Sequence, residues 1–231
     1  MTQVLRIIII AVALAGSGAW VASAESSSDT RVVPSQHSPA VSSRIKELSV
    51  CDGTDEGTVA DELCRVGMTG PGGGIVFFID HFDQFPSFCP VSNCNYLQAS
   101  PADVGDAVEW CSDMTSDLGL TGWDKSAVGA GRRNSTVADR TCTSGAIQVA
   151  ADYTLKRKKI QYSDWWLPSI GELMLMYTNL RQAGVGEFME DLYWSSSEYS
   201  GKFVWNQYFD YGNKNVSIKS FRYWVRPIRA F

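Results

Sequence analysis

The strongest structural signal in this chain is the run Tyr162-Ser163-Asp164-Trp165-Trp166-Leu167-Pro168-Ser169-Ile170-Gly171-Glu172-Leu173. Ser169 is a residue of the N-cap type and Glu172 stands three positions later, so the pair predicts a capping box at the start of a helix. An apolar face at helical spacing follows, formed by Leu173, Met176, Tyr177 and Leu180. We therefore expect a helix that starts after Ser169 and ends at Gly184.

Two elements are predicted upstream of this run. A helix is expected over residues 137–153, because apolar residues recur there at the spacing of one helical face: Ala146, Val149, Ala150 and Tyr153. The glycine-rich segment 70–74 precedes the apolar residues 75–79, which predicts a tight turn that leads into a buried strand. The Gly-Lys-Ser/Thr of a phosphate-binding loop is missing from this segment, so the turn is interpreted as structural.

Short strands are predicted after Gly186, over residues 193–197, 203–209 and 222–229. In the second of these, alternation places Phe203, Trp205 and Phe209 on one side and Val204, Asn206 and Tyr208 on the other. Pro227 removes a backbone donor, so the third strand should lie at an edge or end its regular pairing there. Two helices packed on short mixed or antiparallel strands, supported by disulfides, make an α+β domain.

The amino-acid composition argues against several classes of function. The 231 residues are 45% hydrophobic, which is enough to form a folded core. Only two histidines are present, His37 and His81, so a mechanism that needs a histidine cluster is nearly excluded. The net charge of −5 argues against a general nucleic-acid binder. Residues 153–231 nevertheless hold 11 basic and 7 acidic residues, a balance of +4 that is compatible with an anionic partner or with a solvated basic loop at 156–159.

Residues 1–24 have the pattern of an export signal. Arg6 precedes an apolar run at 7–15, and small residues at Ala22-Ser23-Ala24 predict cleavage after Ala24. This run is too short to span a bilayer core of about 30 Å, and we expect no transmembrane segment in the mature chain. Residues 25–50 are predicted to be a flexible linker and 51–231 the folded domain. We expect an exported protein, located in the periplasm, outside the cell or on its surface.

Export changes the interpretation of the six cysteines. An even number of cysteines in an oxidising compartment favours disulfides over metal ligands, although 15 pairings are formally possible. Proximity in sequence suggests Cys51–Cys64, Cys89–Cys94 and Cys111–Cys142. A zinc site is the rival interpretation, but no Cys-x-x-Cys pair is present and no histidine lies close by. We therefore expect disulfides and no resident metal.

A set of motifs in this chain resembles the Lcl C-terminal domain family, which is named for a bacterial collagen-like adhesin and is grouped with the C-type lectin-like folds. The motifs cover about residues 64–231 and lie at 66–77, 96–101, 128–131 with Asn134, 162–169, Glu172-Leu173, 193–198 and 225–231. The resemblance implies a C-type lectin-like fold that serves in surface recognition and has no general catalytic activity. It also implies that the recognition surface lies between the motif at 193–198 and the terminal Arg226-Pro227, over about residues 199–221.

The composition of this segment agrees with a binding surface. Of the 25 residues at 193–217, 16 are Tyr, Trp, Ser, Gly or Asn, the mixture that antibody paratopes use. The predicted ligand contacts are Tyr199, Lys202, Asn206, Tyr208, Asp210, Tyr211, Asn213 and Asn215. The alternative is a polar hairpin that only keeps the protein soluble. The leading hypothesis is a non-catalytic, adhesin-like module that binds an extracellular protein or glycan and needs no cofactor.

Several alternatives remain open. Calcium-dependent sugar binding would need clustered oxygens, for which Glu198, Asn206 and Asp210 are the nearest approximation, but Gln207 stands where such lectins have a carboxylate. A sulfated polysaccharide would be bound by basic side chains, for which the candidates are Lys202, Lys214, Lys219 and Arg222. A carbohydrate-active enzyme could use a pair of carboxylates from Asp164, Glu172 and Glu198. An envelope component that oligomerises through exposed aromatic residues is the remaining possibility.

Overall fold

The computed structural model describes residue 51 and residues 64–82, 84–85, 94–157 and 159–231. The predicted signal at 1–24, the predicted linker at 25–50 and Cys89 lie outside the described residues. Within the described ranges, no helix combines the length and the apolar character needed to cross a membrane.

The chain forms eight strands and four α-helices in these ranges. In chain order they are β1 (Ile75–Ile79), β2 (Tyr96–Ala99), α1 (Trp123–Ser126), α2 (Gly131–Ala138), α3 (Ala146–Ala151), β3 (Leu155–Arg157), β4 (Ile160–Tyr162), α4 (Ile170–Asn179), β5 (Leu192–Ser200), β6 (Phe203–Tyr208), β7 (Lys214–Ile218) and β8 (Ile228–Ala230). A 3₁₀ turn at Arg181–Ala183 follows α4. This mixture of helices and antiparallel strands confirms an α+β protein.

The strands form three antiparallel sheets, ordered β1-β2-β8, β3-β4 and β5-β6-β7. Two isolated bridges attach neighbouring segments to these sheets. Trp166 pairs with Ile228, and Tyr193 pairs with Trp224. The segment around Trp166 and the terminal segment around Ile228 therefore lie side by side in the fold, although they are far apart in sequence.

The helix predicted after Ser169 is confirmed, and so is its capping box. The Ser169 hydroxyl accepts the Glu172 amide at 3.2 Å, and the Glu172 carboxylate accepts the Ser169 amide at 2.7 Å. The α-helix ends at Asn179, five residues before Gly184. Gly184 instead closes the 3₁₀ turn that follows and adopts a left-handed conformation with φ of 71°.

The single helix predicted over 137–153 is wrong, because α2 ends at Ala138 and only α3 (Ala146–Ala151) lies within that range. Gly145 separates them with φ of 95°, a conformation that favours glycine. A Cβ at Gly145 would also lie 2.7 Å from the Glu109 carbonyl oxygen. This close approach of a distant segment interrupts the helical pattern, and Tyr153 lies beyond the end of α3.

The strands after Gly186 are largely as predicted. β5 contains the predicted segment 193–197, and β6 begins at Phe203 as expected. The third predicted strand, 222–229, is wrong in its first half, because regular pairing begins only after Pro227, in β8. Tyr223 and Trp224 before the proline make isolated bridges instead.

Two apolar cores lie on the two faces of the β5-β6-β7 sheet. Tyr193 and Phe209 belong to the first core, which α4 covers through Leu173 and Met176. Trp194, which follows Tyr193, and Val204 belong to the second core, which also contains the wholly buried Trp110 and the Cys111–Cys142 disulfide. Because side chains alternate between the faces of a sheet, both faces of β5 and β6 are covered over much of their length.

The disulfide predictions are confirmed for two of the three pairs. Cys51 bonds Cys64, and Cys111 bonds Cys142. Cys94 is also disulfide-bonded, whereas its predicted partner lies outside the described residues. A bridge that closes a loop of the size between Cys111 and Cys142 stabilises a fold by roughly 2–4 kcal/mol, chiefly by restricting the unfolded chain.

The carboxylate of Glu172 joins the N-terminal ends of α2 and α4. It is wholly buried, and besides the Ser169 amide it accepts the Gly129 amide at 3.0 Å and the amide of Gly131, the first residue of α2. A Cβ at Gly131 would clash with this carboxylate, so only glycine fits there. Helix N-termini carry partial positive charge, which makes their convergence a natural site for a buried acid.

Further polar side chains surround this carboxylate, and we call Asn134, Ser169, Glu172 and Ser197 the polar hub. The Ser169 hydroxyl donates to the Ala127 carbonyl at 2.8 Å. The Asn134 amide and the Ser197 hydroxyl both donate to the Lys125 carbonyl, each at 2.7 Å. The hub therefore fixes β5, α2 and α4 to α1 and the residue that follows it.

The hub predicts a pH dependence of stability. Burial raises the pKa of Glu172 from 4.5 to about 7, against the opposing effect of its amide hydrogen bonds. The folded protein thus holds this proton more tightly than the unfolded chain, and the resulting stabilisation is lost as the pH rises through about 7. We expect the free energy of unfolding to fall by about 3 kcal/mol between about pH 4.5 and about pH 8, as measured by urea denaturation.

The matched control is Glu172→Gln, which cannot ionise. Its amide group would face the backbone donors that the carboxylate now accepts, so the variant should lose about 1–3 kcal/mol at acidic pH. Its stability should then stay flat across the same pH window. A slope equal to that of the parent protein would show that another group is responsible.

Candidate functional site

The candidate site lies at one end of the β5-β6-β7 sheet. The first turn of α4 reaches β5 at Ser197, whose hydroxyl accepts the Ile170 amide at 3.2 Å. Later in α4, the Tyr177 ring packs edge-on against Phe209, with 5.6 Å between centroids. The helix thus covers the sheet from Ser197 towards Phe209, and the strand residues beyond Glu198 become more exposed.

Five side chains at this end form an apolar patch, which we call the aromatic face: Tyr199, Phe203, Trp205, Val216 and Ile218. Phe203 is the register partner of Ile218, and Trp205 is the partner of Val216. Tyr199 packs edge-on against Trp205 at 5.4 Å between ring centroids. Tyr199 is 57% exposed, Phe203 40% and Ile218 38%, so the patch is open to solvent.

A second polar and aromatic group lies at the β6–β7 turn. The Tyr208 and Tyr211 rings pack edge-on at 5.4 Å, and Tyr211 is 70% exposed. The Asp210 carboxylate raises the pKa of the Tyr211 phenol through a hydrogen bond and its negative charge. Gly212 has φ of 79° and lies so close to the Tyr177 ring that a Cβ would clash with it. The turn is therefore anchored to α4.

The predicted contacts divide between these two places. β6 has six residues, so its ends are about 17 Å apart at 3.3 Å per residue. Tyr199 and Lys202 lie at the aromatic-face end, whereas Tyr208, Asp210, Tyr211 and Asn213 lie at the β6–β7 turn. Asn215 is exposed on β7 between them. These seven residues remain predicted contacts, but they do not form one compact cluster.

Asn206 has to be removed from the predicted contact set. It pairs with Trp194 across β5 and β6 and is wholly buried. Its amide nitrogen makes only a long bond of 3.5 Å to the Val204 carbonyl. The alternation along β6 was correct, but the side that carries Val204 and Asn206 faces the second core rather than solvent.

Lys219 is also buried and is not available to an anionic partner, contrary to the prediction. Its ammonium lies 2.6 Å from Glu198 Oε1 and 4.6 Å from the centre of the Trp110 ring, and it donates to the Ser116 carbonyl at 2.7 Å. Both members of the ion pair have no exposed side-chain surface. The other predicted basic residues are exposed, and of these Arg222 pairs with Glu109 at 2.7 Å.

The structure does not bring the three candidate calcium ligands together. Besides Lys219, the Glu198 carboxylate accepts the amides of Leu118 and Leu120, at 2.9 and 3.1 Å. Asp210 follows the opposite end of β6, and Asn206 between them is buried. Among the described residues, no group of three or more His, Cys, Asp and Glu side chains could hold a metal ion.

The three carboxylates considered for glycoside hydrolysis are each held by different partners. Glu172 belongs to the polar hub, and Glu198 belongs to the ion pair with Lys219. Asp164 forms a two-point ion pair with Arg229, with N–O distances of 2.7 and 2.8 Å. The arrangement does not show a pair of carboxylates facing a shared cleft.

Sequence reasoning missed the apolar members of the surface. The predicted contacts are polar residues and tyrosines and do not include Phe203, Trp205 or Ile218, although the alternation in β6 places Phe203 and Trp205 on one side. Trp123 was missed as well. It is 86% exposed and begins α1, which packs against β5.

Concave features also lie outside residues 199–221. A cavity of about 510 Å³ opens between Val104 and the outer side of α3. Its walls include Thr143, Gln148 and Tyr153, and Gln148 donates to Asp152 at 2.9 Å. These groups offer hydroxyl, amide and aromatic contacts, so the cavity is a useful reference position for mapping any ligand.

Comparison with known proteins does not assign a family. No protein-family model matches the chain, and no curated protein matches it. Among solved structures, the chain is similar to a fimbrial protein from Bacteroides ovatus ATCC 8483, with a TM-score of 0.46 and 17% sequence identity. The match covers 80% of this chain and 48% of the fimbrial protein, so the chain spans about half of that protein's length. The resemblance to the Lcl C-terminal domain family stays a prediction.

The buried ion pair supplies a stability test. Lys219→Met would leave the Glu198 carboxylate buried without its cation, and breaking such a pair costs about 3–5 kcal/mol. The double variant Glu198→Gln, Lys219→Met should recover part of this loss, because a glutamine oxygen can still accept the Leu118 and Leu120 amides. Denaturant unfolding at neutral pH measures all three proteins.

The matched control is Arg222→Met, which removes an ion pair that lies in solvent. Its effect should be much smaller, since exposed pairs contribute little to stability. Equal losses for Lys219→Met and Arg222→Met would contradict the buried arrangement.

Proposed function

We propose that this protein is an exported, non-catalytic recognition module that binds an extracellular protein or glycan through the exposed end of the β5-β6-β7 sheet. The observation that carries the proposal is the aromatic face, an apolar patch that remains open to solvent on a sheet whose strands β5 and β6 are covered on both faces over much of their length. Contiguous exposed apolar surface of this kind is typical of interaction sites.

The support beneath the patch favours binding over simple solubility. The polar hub fixes β5, and the two cores cover the sheet on both faces, so the aromatic side chains stand on a well-packed base. A surface that is already ordered loses less conformational entropy when a partner binds. Tyrosine and tryptophan add large contact area with few rotatable bonds.

We also propose that the fold is C-type lectin-like and related to the Lcl C-terminal domain family. The motifs that carry the resemblance contact one another in space. Glu172 from one motif accepts the amides of Gly129 and Gly131 from another, and Asn134 and Ser197 meet at the Lys125 carbonyl. The terminal motif pairs as β8 with β2, which lies within the motif at 96–101. Sequence features that are separate along the chain thus share one structural role.

Export is part of the same proposal. The disulfides Cys51–Cys64 and Cys111–Cys142 are typical of proteins that fold in an oxidising compartment. They agree with the predicted signal at 1–24. A periplasmic, extracellular or cell-surface location follows from both.

An envelope component that oligomerises through the same surface is the second candidate. Phe203 and Ile218 favour it, because exposed aliphatic and phenyl side chains suit a protein neighbour. Analytical ultracentrifugation over a range of concentrations separates the two. A self-association that Phe203→Ala abolishes would support the oligomer, and a stable monomer would favour capture of a different molecule.

The test of the proposed function is a binding screen of the purified protein against glycan and surface-protein arrays. For any ligand found, the double variant Tyr199→Ala, Phe203→Ala should fold normally and bind at least tenfold more weakly, because central aromatic contacts dominate interface energies. Tyr211→Ala reports whether the β6–β7 turn takes part.

Two controls locate the site. Phe82→Ala removes an aromatic side chain that is 81% exposed elsewhere on the protein, and it should leave binding unchanged. Gln148→Ala probes the cavity beside α3. Full binding by the Tyr199→Ala, Phe203→Ala protein, or loss of binding in Gln148→Ala alone, would refute the proposed location.

A further inference from the structure

The outer edge of β7 has a defined set of unpaired backbone groups. The amide of Lys219 donates to the Lys202 carbonyl, and the amide of Tyr208 donates to the Asn213 carbonyl. These two bonds show which register pairs of β6 and β7 are hydrogen-bonded, because hydrogen-bonded and non-hydrogen-bonded pairs alternate along antiparallel strands. The pairs of Val204 with Ser217 and of Asn206 with Asn215 are therefore the hydrogen-bonded ones in between.

The intervening residues of β7 point their backbone groups away from β6. They are Lys214, Val216 and Ile218, whose register partners are Gln207, Trp205 and Phe203. The Ile218 carbonyl accepts the Phe221 amide at 3.1 Å. Within the described part of the chain, the amides of all three residues and the carbonyls of Lys214 and Val216 have no strand alongside them.

The side chains of these same residues belong to the aromatic-face side of the sheet. Val216 and Ile218 are themselves members of the aromatic face, and Lys214 stands next along the strand. A strand added at this edge would therefore place its own side chains beside Ile218, Val216 and Lys214, and would widen the apolar patch. Backbone bonding and apolar burial coincide at one position, which is the requirement for strand addition.

The positive charge at this edge favours an added strand that carries an acidic side chain. Lys202 and Lys214 are exposed, and no carboxylate of the described residues lies within ion-pair distance of either. Asp117, which lies close to Gly201 beside Lys202, accepts the Gly119 amide at 2.8 Å. An acidic side chain opposite Lys214 would complement this charge, and apolar side chains would complement Val216 and Ile218.

We propose that the open edge of β7 binds an extended segment of a partner protein, which adds a fourth, antiparallel strand with the pattern apolar-x-apolar-x-acidic opposite Ile218, Val216 and Lys214. This inference rests on the proposed function and names the class of ligand as a peptide strand. The residues at the x positions face the Ser217 and Asn215 side of the sheet, where small polar side chains fit.

The probe is a synthetic peptide, acetyl-Thr-Val-Thr-Val-Thr-Glu-Thr-amide, with a second peptide that carries lysine in place of glutamate. The glutamate peptide should shift the backbone amide resonances of Lys214 and Val216 and slow their hydrogen exchange. Its affinity should fall as salt is added, since the Lys214 contact is exposed and screened. Val216 amide protection already complete in the free protein would overturn the proposal.

The decisive variant is Val216→Pro. It removes an outward amide and leaves the β6–β7 ladder bonds in place, so the protein should fold and bind the glutamate peptide at least tenfold more weakly. Ser217→Pro is the matched comparison, because it removes a ladder donor and should destabilise the sheet itself. A folded Val216→Pro protein that binds normally would overturn the proposal.

A charge exchange tests the register without relying on proline. Lys214→Glu should weaken binding of the glutamate peptide at least tenfold and strengthen binding of the lysine peptide. No exchange of preference would refute the assigned alignment.

The remaining outcomes separate this inference from the proposed function. Glycan binding that depends on Tyr199 and Phe203 but not on Val216 would overturn the peptide strand and leave the recognition surface intact. Self-association of the chain that Val216→Pro abolishes would make the occupant a second copy and would overturn the partner peptide. Loss of peptide binding in both Val216→Pro and the Tyr199→Ala, Phe203→Ala variant is the expected result.

Discussion

The Glu172 carboxylate, wholly buried where α2 and α4 begin, is the interaction on which the rest of this structure depends. It accepts backbone amides from both helices, so one acid sets the position of each helix relative to the other. Its charge is tolerated only because helix N-termini provide both donors and a favourable field. Gly131 is required beside it, because no larger residue leaves room for the carboxylate.

The hub explains why the aromatic face can be both rigid and exposed. Ser197 connects β5 to the Lys125 carbonyl and to the first residue of α4, and the buried Glu198–Lys219 pair holds β5 to the residue that follows β7. The polar interactions that position the sheet thus lie beneath it and along its edge. Tyr199 and Phe203 lie beyond the part of the sheet that α4 covers and are left free for contact with another molecule.

The parts of the fold that could be predicted from sequence are those that local chemistry determines. The capping box forms between Ser169 and Glu172, which are only three residues apart. The alternation in β6 follows from the pleat of any strand, in which successive side chains point to opposite faces. The break at Gly145 could not be predicted, because it results from the approach of Glu109 from a distant segment. The burial of Asn206 and Lys219 was missed for a similar reason. Alternation divides a strand into two sides but does not reveal that both are covered, and the partner of Lys219 is set by tertiary packing.

The two-sided covering of the β5-β6-β7 sheet has a consequence for engineering. The hydrogen bonds of Glu172 and the Glu198–Lys219 ion pair do not use the side chains of Tyr199, Phe203 or Ile218, so the identities of these three residues are separable from the interactions that hold the domain together. A combinatorial library randomised at these positions should retain the scaffold while its specificity changes. The domain would then serve as a disulfide-stabilised framework for display, and a few surface side chains would determine which ligand it binds.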